Sequence, residues 1–246
     1  MKKLVFTLLV MAVSLQLFAG NGQKVTERRQ VARFERILLQ GSPTIKYTQG
    51  SKVSVEVKAP KDIIKDVITR VEGNRLTVSV KNTSKWMFNF GNKGDEVVVY
   101  VTSPDLIGIE LLGSGDFECN SRLDTDNLNV VLKGSGDIEL KDIICDRITS
   151  SVVGSGDLDI KKVVALSSSI ELVGSGDVKI NEHQVKQTKV ELKGSGDIKL
   201  GLANCGTVDC RLLGSGDITL QGDALSLNSY TRGSGDIHTS GLKLKK

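Results

Sequence analysis

A row of seven aspartates is the feature of this sequence with the clearest capacity for chemistry. Each aspartate closes a copy of the tetrapeptide Gly-Ser-Gly-Asp, and successive copies are separated by 19 to 21 residues. The seven are Asp116, Asp137, Asp157, Asp177, Asp197, Asp217 and Asp236. If the copies stack at the spacing of neighbouring β-strands, each adjacent pair of carboxylates repels by about 1 kcal/mol in water. Some other interaction must therefore offset this repulsion.

Two arrangements could provide that offset. In the first, each carboxylate folds over its own turn and accepts backbone N–H groups, with the serine of the turn helping. In the second, calcium ions lie between the rungs, since Ca²⁺ binds clustered carboxylate and carbonyl oxygens. The repeat differs from the calcium-binding Gly-Gly-x-Gly-x-Asp nonapeptide in length and in the position of its aspartate. We therefore expect the first arrangement and no cofactor, with a calcium row as the alternative.

A short aromatic cluster is the candidate ligand-binding site. Trp86, Phe88 and Phe90 alternate within five residues of a chain that is only 4% aromatic. One interpretation is a flap that packs over the N-terminal end of the core. The other is an exposed patch for a glycan or a protein, since aromatic anchors carry much of the energy of binding.

The cysteines and histidines do not suggest catalysis. Cys119 and Cys210 occupy positions that other repeats fill with Leu, Ile or Val. Cys145 and Cys205 would lie about 14 Å apart in a stack, too far for a disulfide. A bond between Cys205 and Cys210 is conceivable in an oxidising compartment, but free buried thiols are favoured. Neither His183 nor His238 has a visible catalytic partner, so we expect no catalytic residues and no enzyme.

The residues that flank each tetrapeptide show which elements position it. Apolar and polar residues alternate on both sides, which is typical of half-buried strands. The three apolar columns, in chain order and ending in the last copy, are Leu111, Leu132, Val152, Leu172, Leu192, Leu212 and Thr231; Phe117, Ile138, Leu158, Val178, Ile198, Ile218 and Ile237; and Cys119, Leu140, Ile160, Ile180, Leu200, Leu220 and Thr239. The few remaining residues of each repeat are too short for a crossover helix or a propeller blade. The sequence predicts an all-β solenoid with two strands in each rung of about 20 residues.

The paired glycines of the repeat are predicted to form its structural turns. A tight reversal needs positive φ, and a Cβ at these positions would clash with the neighbouring rung. The glycines are Gly113, Gly115, Gly134, Gly136, Gly154, Gly156, Gly174, Gly176, Gly194, Gly196, Gly214, Gly216, Gly233 and Gly235.

The chain before Gly113 is less regular. Five alternating segments predict strands, at 34–40, 44–48, 53–58, 75–80 and 96–102. The segment 60–68 has apolar residues at offsets of three and four with Pro60 at its start, which predicts a short amphipathic helix. We expect this helix to cover the open end of the solenoid, where a sheet edge and the core would otherwise be exposed.

Composition and the N-terminal segment bound the class of protein. The chain has 33 Lys and Arg against 29 Asp and Glu, so it has no strongly basic surface for nucleic acid. Residues 1–19 combine Lys2 and Lys3, an apolar run and a small-residue exit, which predicts a cleaved secretory signal peptide and no membrane span. The rest is predicted to be one continuous domain, 20–246, with an irregular part at 20–112 and the regular repeats at 113–246.

These segments together resemble one known family. The strands that begin at Phe34, Thr44, Val53, Asn74 and Val97, followed by the Gly-Ser-Gly-Asp array, resemble the putative auto-transporter adhesins with a head GIN domain, which are common among secreted proteins of gut Bacteroidetes. The resemblance covers almost the whole chain after the signal. It implies a right-handed β-helix shaped like pectin-lyase solenoids but without their catalytic residues, and a role in adhesion.

The sequence thus favours an exported, non-enzymatic module for cell adhesion that binds a glycan or a protein at the cell envelope. The expected location is the periplasm, the outer membrane surface or the exterior. Two alternatives are an enzyme that acts on polysaccharide and a structural protein of the envelope whose open solenoid end pairs with another chain. Homo-oligomers are therefore also conceivable.

Overall fold

The computed structural model describes residues 24–81 and 96–245 of the chain. These residues form an almost entirely β structure in which the strands stack into a solenoid. The strands are β1 (Lys24–Arg29), β2 (Arg36–Gly41), β3 (Thr44–Gln49), β4 (Ser54–Pro60), β5 (Val67–Glu72), β6 (Arg75–Val80), β7 (Val98–Ser103), β8 (Gly108–Gly113), β9 (Asp116–Asp124), β10 (Asn127–Gly134), β11 (Asp137–Ile144), β12 (Arg147–Gly154), β13 (Asp157–Val164), β14 (Ser167–Gly174), β15 (Asp177–His183), β16 (Gln187–Gly194), β17 (Asp197–Gly214), β18 (Ile218–Gly233) and β19 (Ile237–Leu244).

Each rung of the solenoid contributes one strand to each of two faces. On the first face β2, β8, β10, β12, β14 and β16 follow one another in parallel, and the second halves of β17 and β18 continue the series. On the second face β3, β9, β11, β13 and β15 lead to the first halves of β17 and β18 and then to β19. The predicted solenoid, with two strands in each rung of about 20 residues, is confirmed.

The pairing register keeps equivalent residues of successive repeats directly above one another. Asp137 pairs with Asp157, for example, and Leu132 with Val152. The apolar columns therefore run continuously through the interior, where their members from Leu111 to Leu220 are almost completely buried. In the last copy Thr231 and Thr239 are exposed, as expected of a terminal rung.

The N-terminal end of the stack is closed by antiparallel strands. On the first face β6 pairs in parallel with β2, and β5 then forms an antiparallel hairpin with β6. On the second face β7 pairs with β3, and β4 and β1 add two antiparallel strands. Below them the core remains buried, with Phe34, Val55 and Leu76 fully enclosed. The extra strands thus shield the first rung from water.

The prediction of a helix at 60–68 was wrong. Pro60 ends β4, a single 3₁₀ turn covers Ile64–Asp66, and Val67 already begins β5. The apolar residues Ile63 and Ile64 are buried as the helix prediction required, but the β-branched residues that follow pair with β6 instead. Within 24–81 and 96–245, no helix is long and apolar enough to cross a membrane.

Candidate functional site

The stacked Gly-Ser-Gly-Asp turns form one continuous edge of the solenoid, which we call the repeat edge. In every turn before the last, the carbonyl of the first glycine accepts two hydrogen bonds from the next rung, one from the serine N–H and one from the second glycine N–H, at 2.9 to 3.3 Å. For instance, the Gly154 carbonyl accepts the N–H groups of Ser175 and Gly176. The backbone of the edge is therefore bonded from rung to rung, and it holds the side chains at a fixed spacing.

The two glycines of each turn are required for different reasons. The first has φ between +128° and +151°, a region that L side chains rarely adopt. The second is not at positive φ, so the sequence-based argument from φ was wrong for this position. At both positions an added Cβ would lie only 1.9 to 2.5 Å from a carbonyl oxygen of the preceding rung. The second glycine is thus required by the close approach of two backbones.

The repeat edge contains one further turn, which the sequence indicates at Gly41-Ser42-Pro43 but does not identify as a member of the repeat. Gly41 stacks directly below Gly113, and Thr44 stacks below Asp116. The segment Gly41-Ser42-Pro43-Thr44 is therefore an additional member of the series, with Pro and Thr in place of the second Gly and the Asp. Its first glycine again has positive φ. The shared Gly-Ser pair is the signal in the sequence that could have placed this turn in the series.

The aspartates of the repeat edge bind the backbone of the following rung. From Asp137 onward each carboxylate accepts the N–H of the next aspartate, at 2.8 to 3.2 Å, and the series runs to Asp236. The prediction that a carboxylate caps a backbone N–H was right in kind, but the donor belongs to the next turn. Each such bond offsets part of the repulsion between stacked carboxylates.

Two aspartates of the repeat edge, one near each end, have shifted pKa values. Burial raises the pKa of Asp116 above its usual value, and the charge of Asp137 adds to the effect. At the other end, the N–H of Asp236 lowers the pKa of Asp217, with a further contribution from His238, whose Nε2 lies 3.3 Å from Oδ2 of Asp217. The ionised carboxylate is therefore favoured more at Asp217 than at Asp116.

The repeat edge presents hydroxyl groups as well as carboxylates to solvent. All seven serines of the turns are exposed: Ser114, Ser135, Ser155, Ser175, Ser195, Ser215 and Ser234. Because only one oxygen of each bonded carboxylate accepts the N–H of the next rung, the second oxygen can accept a bond from a ligand. The edge is chemically suited to a ligand rich in hydroxyl groups. In the part of the chain that the structure describes, no three His, Cys, Asp or Glu residues come together as a metal site.

The other residues singled out from the sequence do not join this edge. Trp86, Phe88 and Phe90 lie outside the described residues. All four cysteines are free and buried, including Cys205 and Cys210. Burial raises the pKa of Cys145 to about 11 and that of Cys210 to about 12, so these thiols are not nucleophiles at neutral pH.

The sequence analysis missed a buried acid inside the solenoid. Glu182, on β15, is fully buried, and its Oε2 accepts a hydrogen bond from the hydroxyl of Thr188. Burial raises its pKa above the usual range. β15 alternates regularly, with Val178, Ile180 and Glu182 facing inward, so Glu182 continues the inward-facing row. The extra residue in this pairing lies in β13, between Ile160 and Val163. The alternation of β15 was therefore the available signal, although a polar residue is not expected at an interior position.

A polar groove lies at the corner opposite the repeat edge. It has a volume of about 340 Å³, and its charged lining comes from Arg36, Asp105, Asp126 and Arg147. One carboxylate oxygen of Asp105 already accepts the N–H of Leu106, so it has a structural role. The groove is therefore a second place where a polar ligand could bind.

The architecture and the repeat edge define a β-solenoid scaffold that displays a regular polar surface. The family model described as "Putative auto-transporter adhesin, head GIN domain" matches residues 33–164 and 161–246, and the chain belongs to this family. The resemblance inferred from the sequence is thus confirmed. Among curated proteins no match to this chain was found.

Solved structures share the fold over nearly their whole length. A putative adhesin of Bacteroides fragilis is similar with a TM-score of 0.76 and 24% identity, covering 88% of this chain and 96% of that chain. A putative lipid binding protein of Parabacteroides distasonis has a TM-score of 0.67 and 23% identity, covering 92% and 98%. A putative adhesin of the same species has a TM-score of 0.68 and 21% identity, covering 89% and 98%. At these identities the similarity describes the fold.

Proposed function

We propose that this protein is a non-enzymatic adhesion module, exported to the cell envelope or beyond, that binds a glycan through the repeat edge. The observation that carries the proposal is the row of exposed serine hydroxyls beside aspartate carboxylates, held on a rigid backbone. Membership in a family named for putative adhesins supports the same role.

The chemistry of the edge favours a polymer rich in hydroxyl groups. Carboxylates accept hydrogen bonds from sugar hydroxyls, and serine hydroxyls both donate and accept. Because the turns repeat at the spacing of stacked strands, an extended ligand meets the same groups several times. Weak contacts repeated along one ligand add up to a useful affinity.

The aromatic cluster Trp86, Phe88 and Phe90 is the competing binding site. Aromatic side chains provide large contact areas for glycans and for proteins. A binding experiment must therefore compare variants of the cluster with variants of the repeat edge.

The test is binding of the protein without residues 1–19 to an array of glycans and matrix proteins, with calcium and with chelator. The edge variant carries Ser175→Ala, Ser195→Ala and Asp197→Asn, where Asn keeps an oxygen for the N–H of Asp217. Its matched control carries Ser151→Ala and Ser169→Ala, which lie on the strands of the first face. We expect saturable glycan binding that falls at least tenfold in the edge variant only.

Other outcomes would assign the function differently. Loss of binding only in a Trp86→Ala, Phe88→Ala, Phe90→Ala variant would transfer the site to the aromatic cluster. Loss only with chelator would make calcium bound along the aspartate row the essential partner. If neither glycans nor matrix proteins bind in any condition, the adhesion proposal fails and a structural role in the envelope takes its place.

The polar groove favours a second function, an enzyme that acts on polysaccharide. Asp126 and Arg147 both line it, and acidic and basic side chains that share a pocket are candidates for catalytic roles. The test is to incubate the protein with a panel of polysaccharides and measure new reducing ends or unsaturated products. Activity that disappears in Asp126→Asn would support the enzyme, whereas no product from any polysaccharide would reject it.

A further inference from the structure

The two ends of the solenoid differ in a way that suggests how the protein associates. At the N-terminal end, antiparallel strands and the turn Ile64–Asp66 cover the first rung. At the C-terminal end, no element within 24–81 or 96–245 pairs with the outer edge of β19 or with that of the second half of β18. Both strands therefore present unpaired N–H and C=O groups, which are a template for pairing with another strand.

The core also reaches the surface at this end. The inward-facing residues Leu227, Ile237 and Leu242 are only partly buried, and Leu244 is 53% exposed. Nearby Leu225 is 61% exposed. Exposed apolar groups beside an unpaired sheet edge are typical of a surface that another chain covers.

We propose that the C-terminal ends of two copies stack on each other about a two-fold axis that is perpendicular both to the solenoid axis and to the strands. Such an axis reverses strand direction, so β19 pairs antiparallel with its mate, as does segment 226–233. Both free edges are then satisfied at once. A single extended peptide from another protein would pair with only one of them.

The charges of the last rung fit this symmetry. Rotation about the two-fold axis places the turn of one copy over the opposite corner of the other, because the two corners lie at opposite ends of β19. Asp236, beside the turn, then faces the region of Lys243 in the second copy, and the contact occurs twice. Among the described residues, the side chains of Asp236 and Lys243 form no salt bridge within the chain, so both charges are available.

The repeat edge gives independent support for the part played by Asp236. From Asp137 to Asp217 the equivalent carboxylate accepts the backbone N–H of the next rung, as Asp217 does from Asp236. At the last rung that next layer would be the second copy. In the proposed dimer the ammonium group of Lys243 in the second copy takes the place of that backbone N–H as the partner of the carboxylate.

Light scattering after gel filtration tests the proposal, using the chain from residue 20 to 246 at about 50 μM. The unmodified protein should have twice the mass of one chain. Asp236→Lys and Lys243→Glu should each give monomers, because each places like charges opposite one another. An equal mixture of the two variants should recover the dimer, since both contacts then join opposite charges.

The controls separate a lost interface from a lost fold. Lys179→Glu reverses an exposed charge on the middle of the second face and should remain a dimer. Circular dichroism should give every variant the same β spectrum. An unmodified protein that is monomeric, single variants that remain dimeric, or a mixture that stays monomeric would each overturn the proposal. A monomer would leave the end free for a strand of a different polypeptide.

Discussion

Glu182 shows how one side chain can make the stability of the solenoid depend on pH. Its carboxyl group lies in the core, bonded to Thr188 and close to the hydroxyl of Ser168, while Cys205 and Cys210 are the other titratable groups nearby. Its Oε1 has no hydrogen-bond partner in the described structure. Such a group is stable in the interior mainly in its protonated, neutral form.

We predict that Glu182→Gln stabilises the protein at neutral and alkaline pH. In the unfolded chain the carboxyl has a pKa of about 4.3, whereas burial raises its pKa in the folded protein. The folded state therefore binds more protons, and stability falls as the pH rises above about 4. Gln keeps the acceptor for Thr188 without a charge. Thermal unfolding should give a Tm a few degrees higher than that of the unmodified protein at pH 8 and a similar Tm at pH 4.

The exposed Glu139→Gln provides the matched control, because Glu139 lies on the outer side of β11. It should leave the pH dependence of Tm unchanged. If Glu182→Gln lowers Tm at pH 8, the carboxyl is ionised in the folded protein and this account of the core is wrong.

At the scale of the element, the aspartates join one turn to the next. We predict that Asp177→Ala destabilises the protein by about 1 to 2 kcal/mol, because the N–H of Asp197 loses its partner. Urea unfolding measured by circular dichroism gives this difference. Asp177→Asn keeps an oxygen acceptor and removes one repelling charge, so its stability should stay within about 0.5 kcal/mol of the original. Equal losses in both variants would mean that the charge, rather than the hydrogen bond, is what stabilises the edge.

The elements that could be predicted from the sequence are those whose residues repeat. Alternation around each tetrapeptide predicted the strands and the turns, since every copy repeats the same environment. The helix prediction for residues 60–68 failed because the spacing of their apolar residues fits a short helix as well as a strand. Only the pairing of β5 with β6 decides between the two. Likewise, the backbone N–H group that each aspartate carboxylate binds depends on how closely the next turn stacks on it. The sequence of a single repeat does not show this stacking.

The candidate site was predicted less completely than the fold. The spacing of the aspartates and serines indicated one edge, and the structure brings them together there. The turn at Gly41 was predicted, but its place in the repeat edge was missed because that place follows from the stacking of the assembled rungs. Glu182 was missed because a polar residue is not expected in the core, although the alternation through Val178 and Ile180 continues to it.

At the scale of the whole molecule, each rung contacts only its neighbours, so a complete rung should be removable. We predict that deletion of residues 154–173 gives a folded protein, since it joins Val153 to Gly174 and keeps the register of every remaining column. Its circular dichroism spectrum should be unchanged, and small-angle scattering should show a molecule about 4.8 Å shorter.

Deletion of residues 154–163 is the matched control, because it removes half a rung and shifts the following strands onto the wrong face. This variant should fail to fold. If the complete deletion also fails, the rungs are not interchangeable, and the repeats differ in ways that their shared columns conceal.

The direction of the hydrogen bonds between rungs has a mechanical consequence. These bonds run along the solenoid axis, so a force that pulls the two ends apart loads them one rung at a time. Each released repeat of 20 residues would lengthen the chain by up to roughly 70 Å. A force along the strands instead loads many bonds in shear together. The points at which the protein is anchored and pulled therefore decide whether it yields in small steps or resists as a single unit.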